Sequence, residues 1–351
     1  MKLLSIALEN SANSHLKHIL KKLDNIELYG IYDINLKNEI PILNSNNYCD
    51  FTEFNAMGFV QILPLILKAK KAIKDLVQIA LNDKIEKILL IDSPAFNIPF
   101  AKALRKAGFK GKIIYFILPQ VWAWKKGRIK VVESLCDELV GILPFENQYF
   151  KKSHYFGNPS NEALKDYFKE NSNSKKLIAF LPGSRKSEIK SLMPIFRNLK
   201  QDFKDYECVV CVPNFLKDRL DLYEDLSGFT ISYDTKATLK ECEFAYICSG
   251  TASLEAGLIG NAFCLCYKAK MIDYFIAKTL VKIKFIGLCN IIFDKLNLGE
   301  FHKEFIQNLD KTELLKAFEN ANKDEFLEKS KKLRELTKGE IANNLAKLIK
   351  E

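Results

Sequence analysis

The chain has no apolar run long enough to cross a membrane. Its longest uncharged stretch, Phe54 to Leu67, has 14 residues and includes Pro64, whereas a spanning helix needs about 20 apolar residues. Glycine and proline are sparse, at 15 and 10 of 351 residues, which excludes collagen-like and low-complexity chains. There are only 4 histidines. His15 and His18 have no carboxylate or cysteine partner in sequence, so they are expected at the surface or in capping roles. Cys208 and Cys211 form a CxxC with no second pair or His cluster at zinc spacing, which argues against a zinc site. No Asp-x-Asp, Walker or GxGxxG pattern is present, which argues against an NTPase or a dehydrogenase. No basic run is long enough for a nucleic-acid arm. Neither a metal, a cofactor nor a nucleic-acid partner is therefore expected.

What is present is globular: 48% hydrophobic and 27% charged residues, with room for two domains. The net charge of +10 fits either anionic partners or a solvated Lys-rich surface. Nine cysteines lie mostly in apolar runs such as Val209 to Val212 and Phe263 to Tyr267, as free, buried thiols of a reducing compartment do. At the N-terminus Glu9 interrupts a short apolar run where a signal-peptide cleavage region would begin, so a first β-strand and a cytoplasmic protein are expected.

Short apolar runs alternate with amphipathic stretches. Residues 2–9, 26–33, 87–92, 112–118 and 138–144 read as strands, with helices such as 64–81 and 98–107 between them. The polar stretch 169–176 reads as a linker, after which strands follow at 176–181, 208–213, 228–234, 243–248 and 262–268. Strands joined by helical crossovers imply parallel sheets covered on both faces. The expectation is an α/β chain of two doubly wound domains, 1–168 and 177–310, followed by charged helices over 311–351. Those helices would pack back across the domains or against a second copy in a homodimer.

Two strand-to-helix turns carry the phosphate chemistry. Leu177 to Leu181 runs into Pro182-Gly183-Ser184-Arg185, where glycine lets the backbone turn near a ligand, the next helix offers free N–H groups and Arg185 adds a bidentate cation. Phe244 to Cys248 runs into Ser249-Gly250-Thr251-Ala252-Ser253. These small residues allow close approach of phosphate, and Glu255 is placed to accept ribose hydroxyls. A well-capped helix is the bland alternative, but both turns fall where open α/β sheets bind ligands. In the first half, Asp92 and Glu9 each follow an apolar strand, as helix caps or as catalytic bases. Trp122 and Trp124 precede Lys125, Lys126, Arg128 and Lys130, which suits a sugar face, an acyl chain or a membrane interface, or equally a core aromatic pair beside a solvated helix.

The segments LPQVWAWKKGR, LLIDSPAFN, ILPFE, FGNP, LPGSRKSEI and SGTASLE resemble the lipid-A-disaccharide synthase family over roughly residues 1–307. The resemblance implies a GT-B fold and an inverting transfer from UDP-2,3-diacylglucosamine to 2,3-diacylglucosamine 1-phosphate (lipid X), releasing UDP. It implies donor contacts from Ser184, Arg185, Ser249, Gly250, Thr251, Glu255, Asn290 and Gln307. On the acceptor and membrane side it implies Glu9, Ser11, Met57, Phe59, Asp92, Trp122, Trp124, Lys125 and Arg128. The departures fall in the acceptor half. Asn13 stands where the family's AGEASGD motif has Asp, and Ala95 replaces a second Asp.

On this reading Asp92, or second Glu9, takes the acceptor hydroxyl proton. Helix N-termini and Arg185 stabilise the departing UDP. Both substrates carry acyl chains, so peripheral attachment to the cytoplasmic face of the inner membrane is expected, through the apolar stretches 54–67 and 267–284. The alternatives are a polyprenyl-linked sugar transferase, a UDP-sugar epimerase or a non-catalytic nucleotide-sugar-binding protein.

Overall fold

The computed structural model describes residues 1–40, 44–54, 62–248, 250–268 and 284–351, with the side chains of 62–64 left aside. It divides into two compact units: Met1–Pro159 with Gly339–Glu351, and Ser160–Lys338.

The first unit holds a parallel sheet of seven strands: β1 (Lys2–Ala7), β2 (Glu27–Tyr32), β3 (Asn44–Asp50), β4 (Lys87–Ile91), β5 (Lys112–Phe116), β6 (Glu138–Gly141) and β7 (Ser153–Tyr155). Their order is β3-β2-β1-β4-β5-β6-β7. Alternate residues of β1 feed different cores. Leu4 and Ile6 pack beneath the helices Ile62–Asn82, Pro94–Lys106 and Arg128–Leu135, while Leu3 and Ala7 pack beneath Asn10–Leu20 and Ile341–Lys350. With both faces covered, the central strands are largely apolar, and the buried Ser5 of β1 donates its hydroxyl to the Leu89 carbonyl.

The second unit repeats the plan with β8 (Leu177–Leu181), β9 (Glu207–Cys211), β10 (Thr230–Ser232), β11 (Phe244–Cys248), β12 (Phe263–Tyr267) and β13 (Glu304–Ile306). The order is β10-β9-β8-β11-β12-β13, all pairs parallel. The order reverses between β1 and β4 in one unit and between β8 and β11 in the other. Outside the carboxyl ends of those strand pairs, doubly wound sheets open a ligand crevice.

Three strands escape the sequence reading, and all three are edges. β3 is the polar run NSNNYCD, and β7 and β13 are only three residues long. An edge strand buries too little to need an apolar run. The boundary also differs from the one expected. The stretch 169–176 is woven into the second unit: Lys169 is 7% exposed, and its ammonium donates to the Cys242 carbonyl at 2.9 Å and Asn261 Oδ1 at 2.8 Å. The C-terminal helices divide as well. Arg334, on helix Lys323–Thr337, donates to the Leu258 and Ile259 carbonyls at the end of helix Thr251–Ile259. The last helix returns to the first unit, where Leu345 and Ile349 are fully buried. Eight of the nine cysteines are buried and Cys49 is half-buried.

Candidate functional site

In the second unit the two turns foreseen from the sequence end adjacent strands, β8 and β11. Together they line a cavity of about 450 Å³ with Leu181, Gly183, Ser184, Arg185, Gly250, Thr251 and Glu255. Gly183 has φ +97, and a Cβ there would fall 2.5 Å from Glu188 Oε2. Gly250 has φ +134 and nothing within 4 Å of a Cβ position, so the space above it is open to a ligand. It caps helix Thr251–Ile259, whose first N–H groups and positive dipole end favour an anion.

Glu188 builds the first turn, and sequence reasoning gave it no role. Its Oε2 accepts the Ser184 and Arg185 N–H groups, each at 3.2 Å, and its Oε1 pairs with the Arg185 guanidinium at 3.0 Å. The Glu188 N–H in turn donates to the Arg185 backbone carbonyl at 3.0 Å, at the start of helix Lys186–Lys200. A Glu three residues after a helix start is the signal that exposes it. Arg185 itself stays 80% exposed at the side chain, free to meet a ligand. Glu255 is mostly buried, and burial raises its pKa against the opposing pull of Lys236.

Two expected donor contacts are placed differently. Asn290 is fully buried and its amide is saturated: Nδ2 donates to the His302 carbonyl and Glu304 Oε1, and Oδ1 accepts from the Phe301 and His302 N–H groups. It ties helix Leu288–Lys295 to β13 and has no bonding capacity left for a ligand. Gln307 follows β13 with φ +67 and is not among the residues lining the cavity. Ser249 lies outside the described residues, as do Met57, Phe59 and most of 267–284.

In the first unit, Glu9 and Asp92 follow β1 and β4, the strands that flank its switch point. Asp92 and Ser93 both take left-handed backbone, with φ +51 and +41. That strained geometry is held from several sides. The Asp92 N–H donates to Phe116, and its carbonyl accepts from Tyr115 Oη at 2.8 Å and Asn97 Nδ2 at 2.7 Å. Burial, and then the charge of Glu9, raise the Asp92 carboxyl to about 6 against the Ser93 N–H, which lowers it. Glu9 is exposed at the head of helix Asn10–Leu20, and Ser11 is exposed beside it.

Asn13 and Asn97 are the supports that sequence reasoning missed. Asn13 Nδ2 donates to the Ala7 and Glu9 carbonyls while Oδ1 accepts the Asp33 N–H. An ionised Asp has no donor for those carbonyls, so the departure at Asn13 has its own structural role.

The two tryptophans part company. Trp122 is 5% exposed and packs edge-on against Phe145, ring centres 5.7 Å apart. It is a core residue and offers no free face to an acceptor or membrane. Trp124 is 38% exposed, with the Lys125 ammonium 4.2 Å and the Arg128 guanidinium 5.4 Å from its ring centre. Of the histidines, His18 is exposed as expected, whereas His15 sits against Phe116 and burial lowers its pKa to about 4.

The paired doubly wound sheets are those of the GT-B class of glycosyltransferases. Acinetobacter baumannii MurG superposes with a TM-score of 0.60 at 14% identity, over 99% of both chains. A Staphylococcus aureus MnaA–UDP structure gives a TM-score of 0.58 at 13% identity, over 98% of this chain and 94% of that one. The family model described as lipid-A-disaccharide synthetase, LpxB, matches residues 3–351. A lipid-A-disaccharide synthase of Campylobacter jejuni (strain RM1221) is 51% identical over 360 residues, 98% of each chain. One from Helicobacter pylori (strain G27) is 42% identical over 98% of this chain and 97% of its own. The chain belongs to the lipid-A-disaccharide synthase family of glycosyltransferases.

Proposed function

We propose that this chain transfers a 2,3-diacylglucosaminyl group from UDP to 2,3-diacylglucosamine 1-phosphate, releasing UDP. The observation that carries the reading is the donor cavity, in which the Gly183–Arg185 and Gly250–Thr251 turns and Glu255 meet within a chain of this family. The acceptor hydroxyl oxygen attacks the anomeric carbon, the bond from that carbon to the diphosphate oxygen breaks, and UDP departs with the electron pair. Asp92 takes the hydroxyl proton. Its raised pKa makes it a stronger base than an ordinary carboxylate while leaving it ionised at neutral pH. Arg185 and the N-terminus of helix Thr251–Ile259 take up the charge that develops on UDP.

The test is to incubate the pure chain with both lipid substrates in detergent and resolve the products. A disaccharide 1-phosphate and UDP are expected in equal amounts. No product from any acyl variant, despite UDP binding, would overturn the reading.

The lipid substrates reach the enzyme at the cytoplasmic surface of the inner membrane. Among the described residues no helix is long and apolar enough to cross a membrane, and surface attachment is supported by side chains of the first unit. Ile66 and Leu67 are 44% and 62% exposed, and Trp124 stands out with its two cations. Such a mixture suits an interface with anionic headgroups. Substituting Leu67 by Asp together with Trp124 by Ala should reduce co-sedimentation with anionic vesicles severalfold without altering UDP affinity. Unchanged sedimentation would remove these residues from the contact.

A further inference from the structure

The donor cavity has two chemically different ends. The anion-binding groups sit beyond β8 and β11, while Cys211, Pro213, Phe215 and Thr235 line the side beyond β9 and β10. Phe215 is the one aromatic residue among the described residues of the lining, and it is 67% exposed. A single exposed apolar side chain is ordinary; its setting is not. The ring stands on the short turn Asn214–Leu216, directly after β9.

That turn is rigidly mounted. The Val212 N–H donates to Ser232 and the Leu216 N–H to Pro213, both at 2.8 Å. Val212 is fully buried and Leu216 packs against the core of the unit. The backbone is thus held on both sides while the ring is left out. The end of β9 lies one strand spacing from β8 and two from β11, about 5 to 10 Å. A ribose spans about that distance between a diphosphate and its base.

We infer that Phe215 is a positioning residue of the donor site, the platform on which the pyrimidine ring of the nucleoside diphosphate stacks. The inference rests on the donor-site reading above and adds to it the place of the base. The ring contributes affinity without choosing the base, because every base offers a π-face. It is remote from the anomeric carbon and acts equally on the ground and transition states.

Calorimetric titration of the wild type, Phe215→Ala and Phe215→Tyr with UDP, uridine monophosphate and inorganic pyrophosphate tests this. Phe215→Ala should bind UDP and the monophosphate about tenfold more weakly, bind pyrophosphate as the wild type does, and raise the donor KM with kcat nearly unchanged. Phe215→Tyr should restore wild-type affinity. Phe215→Ala binding UDP within twofold of wild type would overturn the platform alone. So would equal losses for UDP and pyrophosphate, which would mark a distorted turn. A wild-type chain that binds no UDP would overturn the donor-site reading and the platform with it.

Discussion

Replacing Asp92 with Asn is expected to lower kcat by roughly 10²–10⁴-fold, the usual contribution of a general base, and to make the protein more stable. The two effects share one cause. Asp92 is forced into left-handed backbone at the end of β4, where burial and the Glu9 charge raise its pKa to about 6. A carboxylate raised in this way stabilises the fold only while protonated. The contribution is present below the unfolded pKa near 4 and is lost as pH rises through about 6. At pH above 7 the ionised group therefore costs on the order of 3 kcal/mol, which the neutral amide removes. Melting should shift up by several degrees, the trade often seen when a strained catalytic group is neutralised.

The pH profile follows with the same sign. In the wild type kcat/KM should fall below about pH 6 as Asp92 protonates. Substituting Glu9 by Gln removes a charge that raises Asp92, so the acidic limb should move to lower pH. Initial rates from roughly pH 5 to 9 would show it. An Asp92→Asn protein that keeps kcat within tenfold would assign the base elsewhere.

Replacing Arg185 with Ala is expected to lower kcat by about 10²–10³-fold, as removing a transition-state donor does, and to raise the donor KM. Stability should change by no more than about 0.5 kcal/mol. The separation follows from the geometry. The guanidinium is exposed and its pair with Glu188 is worth little to the fold. Glu188 keeps its two backbone N–H partners when Arg185 is gone. Substituting Lys should recover only part of the rate, because an ammonium cannot grip phosphate bidentately. Steady-state kinetics and calorimetry on the two variants would check this. Normal turnover with a lost fold would mean that Arg185 serves the turn and not the ligand.

The central strands were legible because both faces of each sheet are covered, and a strand buried on both faces is an apolar run. The edges β3, β7 and β13 carry no such requirement. The place of the stretch 169–176 was hidden for a related reason. The polar stretch 169–176 has a linker's composition, yet Lys169 is buried by the carbonyls it serves. Burial of a cation by partners distant in sequence leaves no mark in composition.

The sequence by itself located the two glycine turns after β8 and β11 and the two carboxylates after β1 and β4, because each stands out by residue type at a strand end. Glycine suits the positive φ at 183 and 250, and the hydroxyls, Arg185, Glu9 and Asp92 are the polar residues beside those strand ends. Tertiary structure alone decided which of the similar residues are free to act. It buried Trp122 and left Trp124 outside, saturated Asn290, and exposed Phe215 on a turn whose neighbours are in the core. The physical reason is that a side chain's availability depends on which hydrogen-bond partners and apolar surfaces reach it. Those arrive from strands and helices far along the chain.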